Sequence, residues 1–269
     1  MNNAHMADIF DNSTNLLQAE HDPFPVIVVN ENAQSPLLLV CEHAGQRIPQ
    51  SLGTMGLSAQ QRAMHIAYDI GAEKVARALA VRLDCRLVLQ RYSRLTIDCN
   101  RQPGLPSSIP EISDSIVIPA NQNLTPAQKK HREVEIFRPF DERCQAEMAR
   151  PEIRMTFSIH SFTRQMANGV PRPWDISFLY RSAHSQGARI ADLCQRQNPD
   201  LNVGRNQPYF IDEKTDWFVP VCAEPRQIPH ALIEIRNDHI RTDAACESWA
   251  DRLHRLFSTL LELQDAADP

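Results

Sequence analysis

Residues Leu37-Leu38-Leu39-Val40 are apolar without alternation, the pattern of a strand buried on both faces. Polar chemistry begins at once after it, in Cys41-Glu42-His43-Ala44-Gly45. Other short segments with apolar or alternating positions predict strands at residues 26–30, 86–90, 95–99, 155–159, 174–180 and 231–235. Between them the period changes. Ala72, Val75, Ala76, Leu79, Ala80 and Leu83 recur at helical spacing and predict a helix over 71–83. A shorter helix is expected at 58–63 and another at 187–196. Thr125-Pro126-Ala127-Gln128 is a helix start, with Thr as N-cap, Pro in the first turn and Gln at the capping-box position. That helix is expected to run to about residue 148. Thr242 or Asp243 opens a last helix, whose apolar positions include Trp249, Leu253, Leu256, Leu260 and Leu261. Residues 102–125 carry Pro103, Pro106, Pro110 and Pro119 and read as a long loop or flap.

Strands that alternate with helices predict an α/β fold: a mixed, mostly parallel twisted sheet flanked by helices. No internal repeat or composition break divides the chain. We expect a polar lead-in over 1–22 and a single domain over 23–269.

Composition narrows the partners. Hydrophobic residues are 42% of the 269 and charged residues 23%, enough for a substantial core. The net charge of −5 offers no electrostatic reason to expect nucleic acid or an anionic membrane as partner. The basic cluster Lys129-Lys130-His131-Arg132 is followed by Glu133 and Glu135 and reads as a solvated helix face. The seven cysteines are odd in number and show no CxxC pair, so a disulfide framework or Cys-type zinc site is not indicated. With no apolar run near the ~18 residues of a membrane span, no recognisable leader and thiols suited to a reducing compartment, the expected location is cytoplasmic.

Three predicted strands end in residues capable of chemistry. The first offers Glu42 and His43, the second His160 and Ser161, the third Glu234 and Arg236. A lone histidine at a strand end is more often a hydrogen-bonded structural residue than a ligand. Two histidines and carboxylates converging from separate strands can hold one divalent metal, zinc above all, with a position left for water. Asp98-Cys99-Asn100-Arg101 is either a surface ion pair or a carboxylate-binding group. Asp69, in Tyr68-Asp69-Ile70-Gly71, is either a helix cap or a carboxylate of the site. His65, His131, His184 and His254 are expected to be exposed, and His5 and His21 to lie in the lead-in. His230 and His239 bracket the third strand as candidate outer partners. There is no GxSxG elbow for a serine nucleophile. Cys41 with His43 remains a cysteine-hydrolase alternative, since side chains two apart on a strand share a face.

Taken together these segments resemble the N-formylglutamate amidohydrolase family. The resemblance rests on Cys41-Glu42-His43-Ala44-Gly45 with Ile48-Pro49, Tyr68-Asp69-Ile70-Gly71-Ala72, Asp98-Cys99-Asn100-Arg101, Ser158-Ile159-His160-Ser161-Phe162, Asn206-Gln207-Pro208-Tyr209 and Glu234-Ile235-Arg236-Asn237-Asp238. It implies a zinc carboxypeptidase (phosphorylase/hydrolase-like) fold with the metal at strand ends. It also implies metal-dependent hydrolysis of an N-formyl or N-acyl amide on an acidic amino acid, a small-molecule substrate. On this resemblance His43 and His160 are zinc ligands, Glu234 is general base and acid, and Asn100 and Arg101 bind the substrate carboxylate. Arg181 or Arg236 is a candidate second cation, and Arg236 anchors Glu234 or stabilises an oxyanion. In the carboxypeptidase HxxE pattern the last position is a ligand, yet here it is Gln46. The third ligand is then Asp69 or Glu42, with Asp69 preferred because neighbouring strand residues face opposite ways. Loss of that glutamate also keeps open a non-catalytic small-molecule binding protein.

Overall fold

The computed structural model describes residues 15–266. Nine strands follow one another: β1 (Val26–Val29), β2 (Leu37–Cys41), β3 (Arg86–Gln90), β4 (Ile112–Ser113), β5 (Ile116–Val117), β6 (Met155–Phe162), β7 (Ile176–Leu179), β8 (Val203–Arg205) and β9 (His230–Arg236). Six α-helices lie among them: α1 (Ala59–Arg62), α2 (Ala72–Arg82), α3 (Pro126–Arg132), α4 (Arg138–Met148), α5 (Gly187–Gln197) and α6 (Asp243–Asp265). Seven strands form one sheet in the order β1-β3-β2-β6-β9-β7-β8, while β4 and β5 make a separate hairpin. The pairs β2–β3, β2–β6, β6–β9 and β7–β8 are parallel; β1–β3 and β7–β9 are antiparallel. The sheet is therefore mixed and mostly parallel, as the apolar runs predict.

Both faces are covered. Leu37, Leu39, Cys41, Phe157, Ile159, Ile233 and Ile235 pack with the apolar stripes of α2, α5 and α6. Leu38, Val40, Val88 and Leu232 pack with α4 and the turn Phe218–Ala223. All five residues of β2 are buried, which explains its unalternated apolar sequence; all eight of β6 are buried too, although apolar Met155, Phe157 and Ile159 alternate there with Thr156, Ser158 and His160. The polar residues of the second face, Glu42, Ser158, His160 and Glu234, gather toward the carboxyl ends of β2, β6 and β9. In open α/β sheets that is where ligands bind.

Several expectations change. Residues 95–99 are turns, not a strand. Antiparallel β1 already occupies the edge of β3, so the segment bonds to loops. Asp98 N–H donates to the Ser108 carbonyl and Thr96 N–H to that of Ser93. The helix expected over 125–148 begins as predicted, with the Thr125–Gln128 capping box formed. It then widens into a π-turn at Glu133–Phe137 before α4. Pro139, near the start of α4, has no N–H to continue the ladder and favours such a break. The loop 102–125 contains the β4–β5 hairpin. Only part of the supposed lead-in is described, because residues 1–14 lie outside the described residues. Leu16 is buried, and the N–H groups of Leu16 and Leu17 donate to Glu135, so residues from 15 onward dock on the domain.

Arg132 does not lie on a solvated face. It is 1% exposed, and burial pushes its pKa down to about 10. Its guanidinium donates to the Thr96 and Ala120 carbonyls and to Asn121 Oδ1. It thus ties the two ends of the 96–121 segment to α3. Arg132→Met leaves three acceptors unpaired, of which the Thr96 carbonyl and Asn121 Oδ1 are buried, at about 1–3 kcal/mol for each buried one. Urea unfolding should show a stability loss of at least about 2 kcal/mol.

Candidate metal centre and active-site cavity

The turn after β2 sets the site. At Gly45 a Cβ would lie 1.9 Å from the Arg91 carbonyl oxygen, so only glycine permits this approach of backbone to backbone. The turn swings His43 toward residues 66–72, where Asp69 N–H donates to the His43 carbonyl at 2.9 Å. Asp69 does not cap α2. Gly71, at φ 83°, is the N-cap, and the Asp69 carboxylate is free to point at the sheet. Its Oδ2 accepts from Ser161 N–H at 3.0 Å and lies 2.9 Å from His160 Nδ1 and 3.5 Å from His43 Nδ1.

The far nitrogen of each imidazole is held by a carboxylate. His43 Nε2 lies 2.7 Å from Asp98 Oδ1, and His160 Nε2 lies 3.0 Å from Glu42 Oε2. Glu42 is completely buried and also accepts from Ser158 Oγ at 2.6 Å. Both Nδ1 atoms face Asp69, and His160 Nδ1–H donates to it; with Nε2–H donating outward, each Nδ1 would be free to bind a cation once it carries no proton. That is the arrangement by which outer carboxylates orient metal-binding histidines. Among the described residues, His43, Asp69 and His160 form a buried group whose ligand atoms all lie within 4.8 Å of one another. His43 Nδ1 is buried and makes no hydrogen bond. Two imidazoles, one carboxylate and an orphaned nitrogen fit a divalent metal such as zinc.

The electrostatics match a cation-binding centre. Burial would raise the pKa of Asp69, but His43 and His160 hold it well below the usual carboxylate range. Burial also works against Asp98, where Arg94 and His43 prevail and keep it ionised. Burial disfavours charge on His160, yet Glu42 and Asp69 outweigh it and raise its pKa well above normal. Glu234 behaves differently. It sits beside His160 in the β6–β9 register, its Oε2 is buried without a partner, and burial pushes its pKa up to about 7.

These groups open into a cavity of about 590 Å³. Its walls include Asn100 and Arg101. Asn100 Oδ1 accepts from Phe218 N–H at 3.0 Å, and Arg101 pairs with Asp216. Two predicted cations are elsewhere. Arg181 pairs with Glu213 and Glu224 and does not line the cavity. Arg236 is spent on Asp175, Asp238, His239 and the Trp174 carbonyl, also outside it. Glu42 is not in the ligand group but behind His160. His230 and His239 do not reach the cluster: His230 meets the Ile228 carbonyl and His239 meets Asp175. Gln46 is exposed and outside the cavity. Cys41 does not share His43's surroundings; it is buried against α2 on the opposite face of the sheet, with its pKa raised by burial. The chain turns after Cys41, so strand alternation no longer relates the two.

Sequence reasoning missed Arg94, His65, Tyr209 and Asp216. Arg94 forks onto Asp98 at 3.0 and 2.6 Å, an i,i+4 acid–base spacing that the sequence does display. His65 is not exposed but lines the cavity, 3.2 Å from Asp114 of the hairpin. Glu42→Gln keeps the shape but weakens the support behind His160. Metal affinity should fall about 10–100-fold by competition against a chelating dye.

A family model described as N-formylglutamate amidohydrolase matches residues 35–241. The chain belongs to the N-formylglutamate amidohydrolase family. It is therefore an amidohydrolase by family. The crystal structure of gene product Atu2144 from Agrobacterium tumefaciens is 35% identical, with a TM-score of 0.84, covering 93% of this chain and 99% of that one. An N-formylglutamate amidohydrolase from Ralstonia eutropha is 18% identical, with a TM-score of 0.68, covering 90% of this chain and 98% of that one; it shares the fold. No protein of curated function matches the sequence. No helix among the described residues is long and apolar enough to cross a membrane.

Proposed function

We propose that this family member hydrolyses an N-formyl or N-acyl amide of an amino acid with the help of a divalent metal, zinc by its donor set. The observation that carries this reading is the convergence of His43 Nδ1, His160 Nδ1 and Asp69 beside an unpaired Glu234 carboxyl in one cavity. His43, Asp69 and His160 would hold the zinc, which when bound would supply positive charge to polarise a carbonyl and lower the pKa of water.

The chain's own residues do the rest. Glu234 takes a proton from the attacking water and returns it to the leaving nitrogen. A carboxyl with a pKa near 7 suits both steps at neutral pH. Water adds to the amide carbon and the C–N bond breaks, giving formate or another carboxylate and a free amino acid. Arg101 orients the substrate carboxylate by its planar fork. Asn100 fixes the backbone at Phe218 beside it. Arg94 is committed to Asp98 and Asp69, and its charge helps to keep Asp98 ionised. An acidic amino acid, as in N-formylglutamate, is the substrate the family resemblance suggests; Arg101 provides for one of its two carboxylates. The seven free cysteines support a reducing, cytoplasmic setting.

Chelation tests the reading. Protein purified with metal should lose at least about 99% of its hydrolysis of an N-acyl amino acid after chelation, and zinc should restore it. Undiminished turnover in metal-free protein would overturn the metal mechanism.

A further inference from the structure

The cations that line the cavity are few and already engaged. Arg94 forks onto Asp98 and reaches Asp69. Arg101 pairs with Asp216. His65 faces Asp114, and burial lowers its pKa, which favours the neutral ring. Arg172, outside the lining, donates to the Thr163 carbonyl and Tyr209 hydroxyl and lies over the Tyr209 ring. Against them the wall carries Asp69, Asp98, Glu111, Asp216 and Glu234. Arg101, with a single carboxylate partner and 30% of its side chain exposed, can still receive one substrate carboxylate, and the cavity is poorly supplied for a second.

The surface beside Glu234 is apolar instead. Leu232 lies two residues before Glu234 on the same face of β9, and Leu179 of β7 is its register partner. Both line the cavity together with Ile211, and all three belong to one buried cluster. The following residue, Asp212, donates its N–H at 2.7 Å to the Asp216 carboxylate that pairs with Arg101. The apolar floor thus runs from Glu234 to the Arg101 ion pair. With the leaving nitrogen at Glu234 and the α-carboxylate at Arg101, the side chain of the departing amino acid rests on that floor.

Resting on the amide-hydrolase reading above, we propose that the amino acid released carries an apolar side chain of leucine or phenylalanine size, seated on Leu179, Ile211 and Leu232. A glutamate side chain there would bring an unpaired carboxylate onto apolar surface, among acidic neighbours. A cavity of about 590 Å³ has room for the larger group.

The test is a matched panel of N-formyl and N-acetyl derivatives of glutamate, glutamine, leucine and phenylalanine, with zinc-loaded protein. The leucine and phenylalanine compounds should exceed the glutamate compounds at least tenfold in kcat/KM, with glutamine between. Glutamate compounds equal to or better than leucine compounds would overturn the proposal. Ile211→Arg, which adds a cation to the floor, should narrow the preference about tenfold, chiefly through KM. Binding separates this inference from the reading beneath it. Calorimetry with the zinc-loaded Glu234→Gln protein should show N-formyl-leucine binding at least tenfold tighter than N-formyl-glutamate. If the wild-type protein hydrolyses nothing in the panel, the amide-hydrolase reading fails and this measurement still decides the side-chain preference. Equal or reversed affinities, or binding of neither, would overturn it.

Discussion

Glu234→Gln lowers kcat by about 10²–10⁴-fold, the range general acid–base groups contribute, while the protein keeps its fold and its metal. The substitution preserves shape and removes the titrating group. Glu234 Oε2 is buried without a partner, so no other contact of that oxygen is lost. The carboxyl's pKa near 7 comes first from burial, with Asp69 adding to it, and neither cause depends on a neighbour that glutamine would displace. On the proposed mechanism both the proton taken from water and the proton given to nitrogen pass through this group. KM should change far less than kcat. Steady-state kinetics on an N-acyl amino acid, with metal content measured in parallel, checks this. Wild-type turnover would remove Glu234 from the role.

Asp69→Asn has the second large effect. The aspartate supplies the only carboxylate of the proposed ligand set, and a neutral amide is a poor zinc ligand. The same Oδ2 receives Ser161 N–H and faces both imidazoles, so its loss also loosens their placement. Hydrolysis should fall at least 10²-fold, and zinc content after dialysis should drop below half an equivalent, a loss of affinity in keeping with a missing ligand. Excess zinc should recover part of the rate. Full zinc content with full activity would mean that Asp69 is not a ligand, whatever its position.

The convergence of His43, His160 and Glu234 was legible because they lie on strands or just beyond one. Apolar runs mark β2 and β9 and alternation marks β6, and His43, His160 and Glu234 sit on or just beyond those strands. What pattern could not give was direction across turns. Cys41 and His43 are two apart yet part company, because the chain leaves the strand between them. Asp69 reads equally as a cap or as a site group until Gly71 is seen to take the cap. Arg132 sits in a run of charges that looks solvated, and its burial depends on loop carbonyls distant in sequence. Arg181 and Arg236 are plausible cations by position, but their acidic partners Glu213, Glu224 and Asp175 come from segments with no periodic signal. Gln46 seemed to put the metal in doubt. Gln46 is exposed, and the carboxylate that lies beside both histidines is Asp69.

The central claim is that one divalent metal sits between His43, Asp69 and His160. A crystal of zinc-loaded protein, with diffraction recorded on both sides of the zinc absorption edge, tests it most directly. The account predicts a single anomalous peak within coordination distance of His43 Nδ1, His160 Nδ1 and an Asp69 oxygen, with Asp98 and Glu42 bonded to the far nitrogens. A peak bound through Nε2, a peak ligated by Glu42 in place of Asp69, or no peak in this cavity would contradict it.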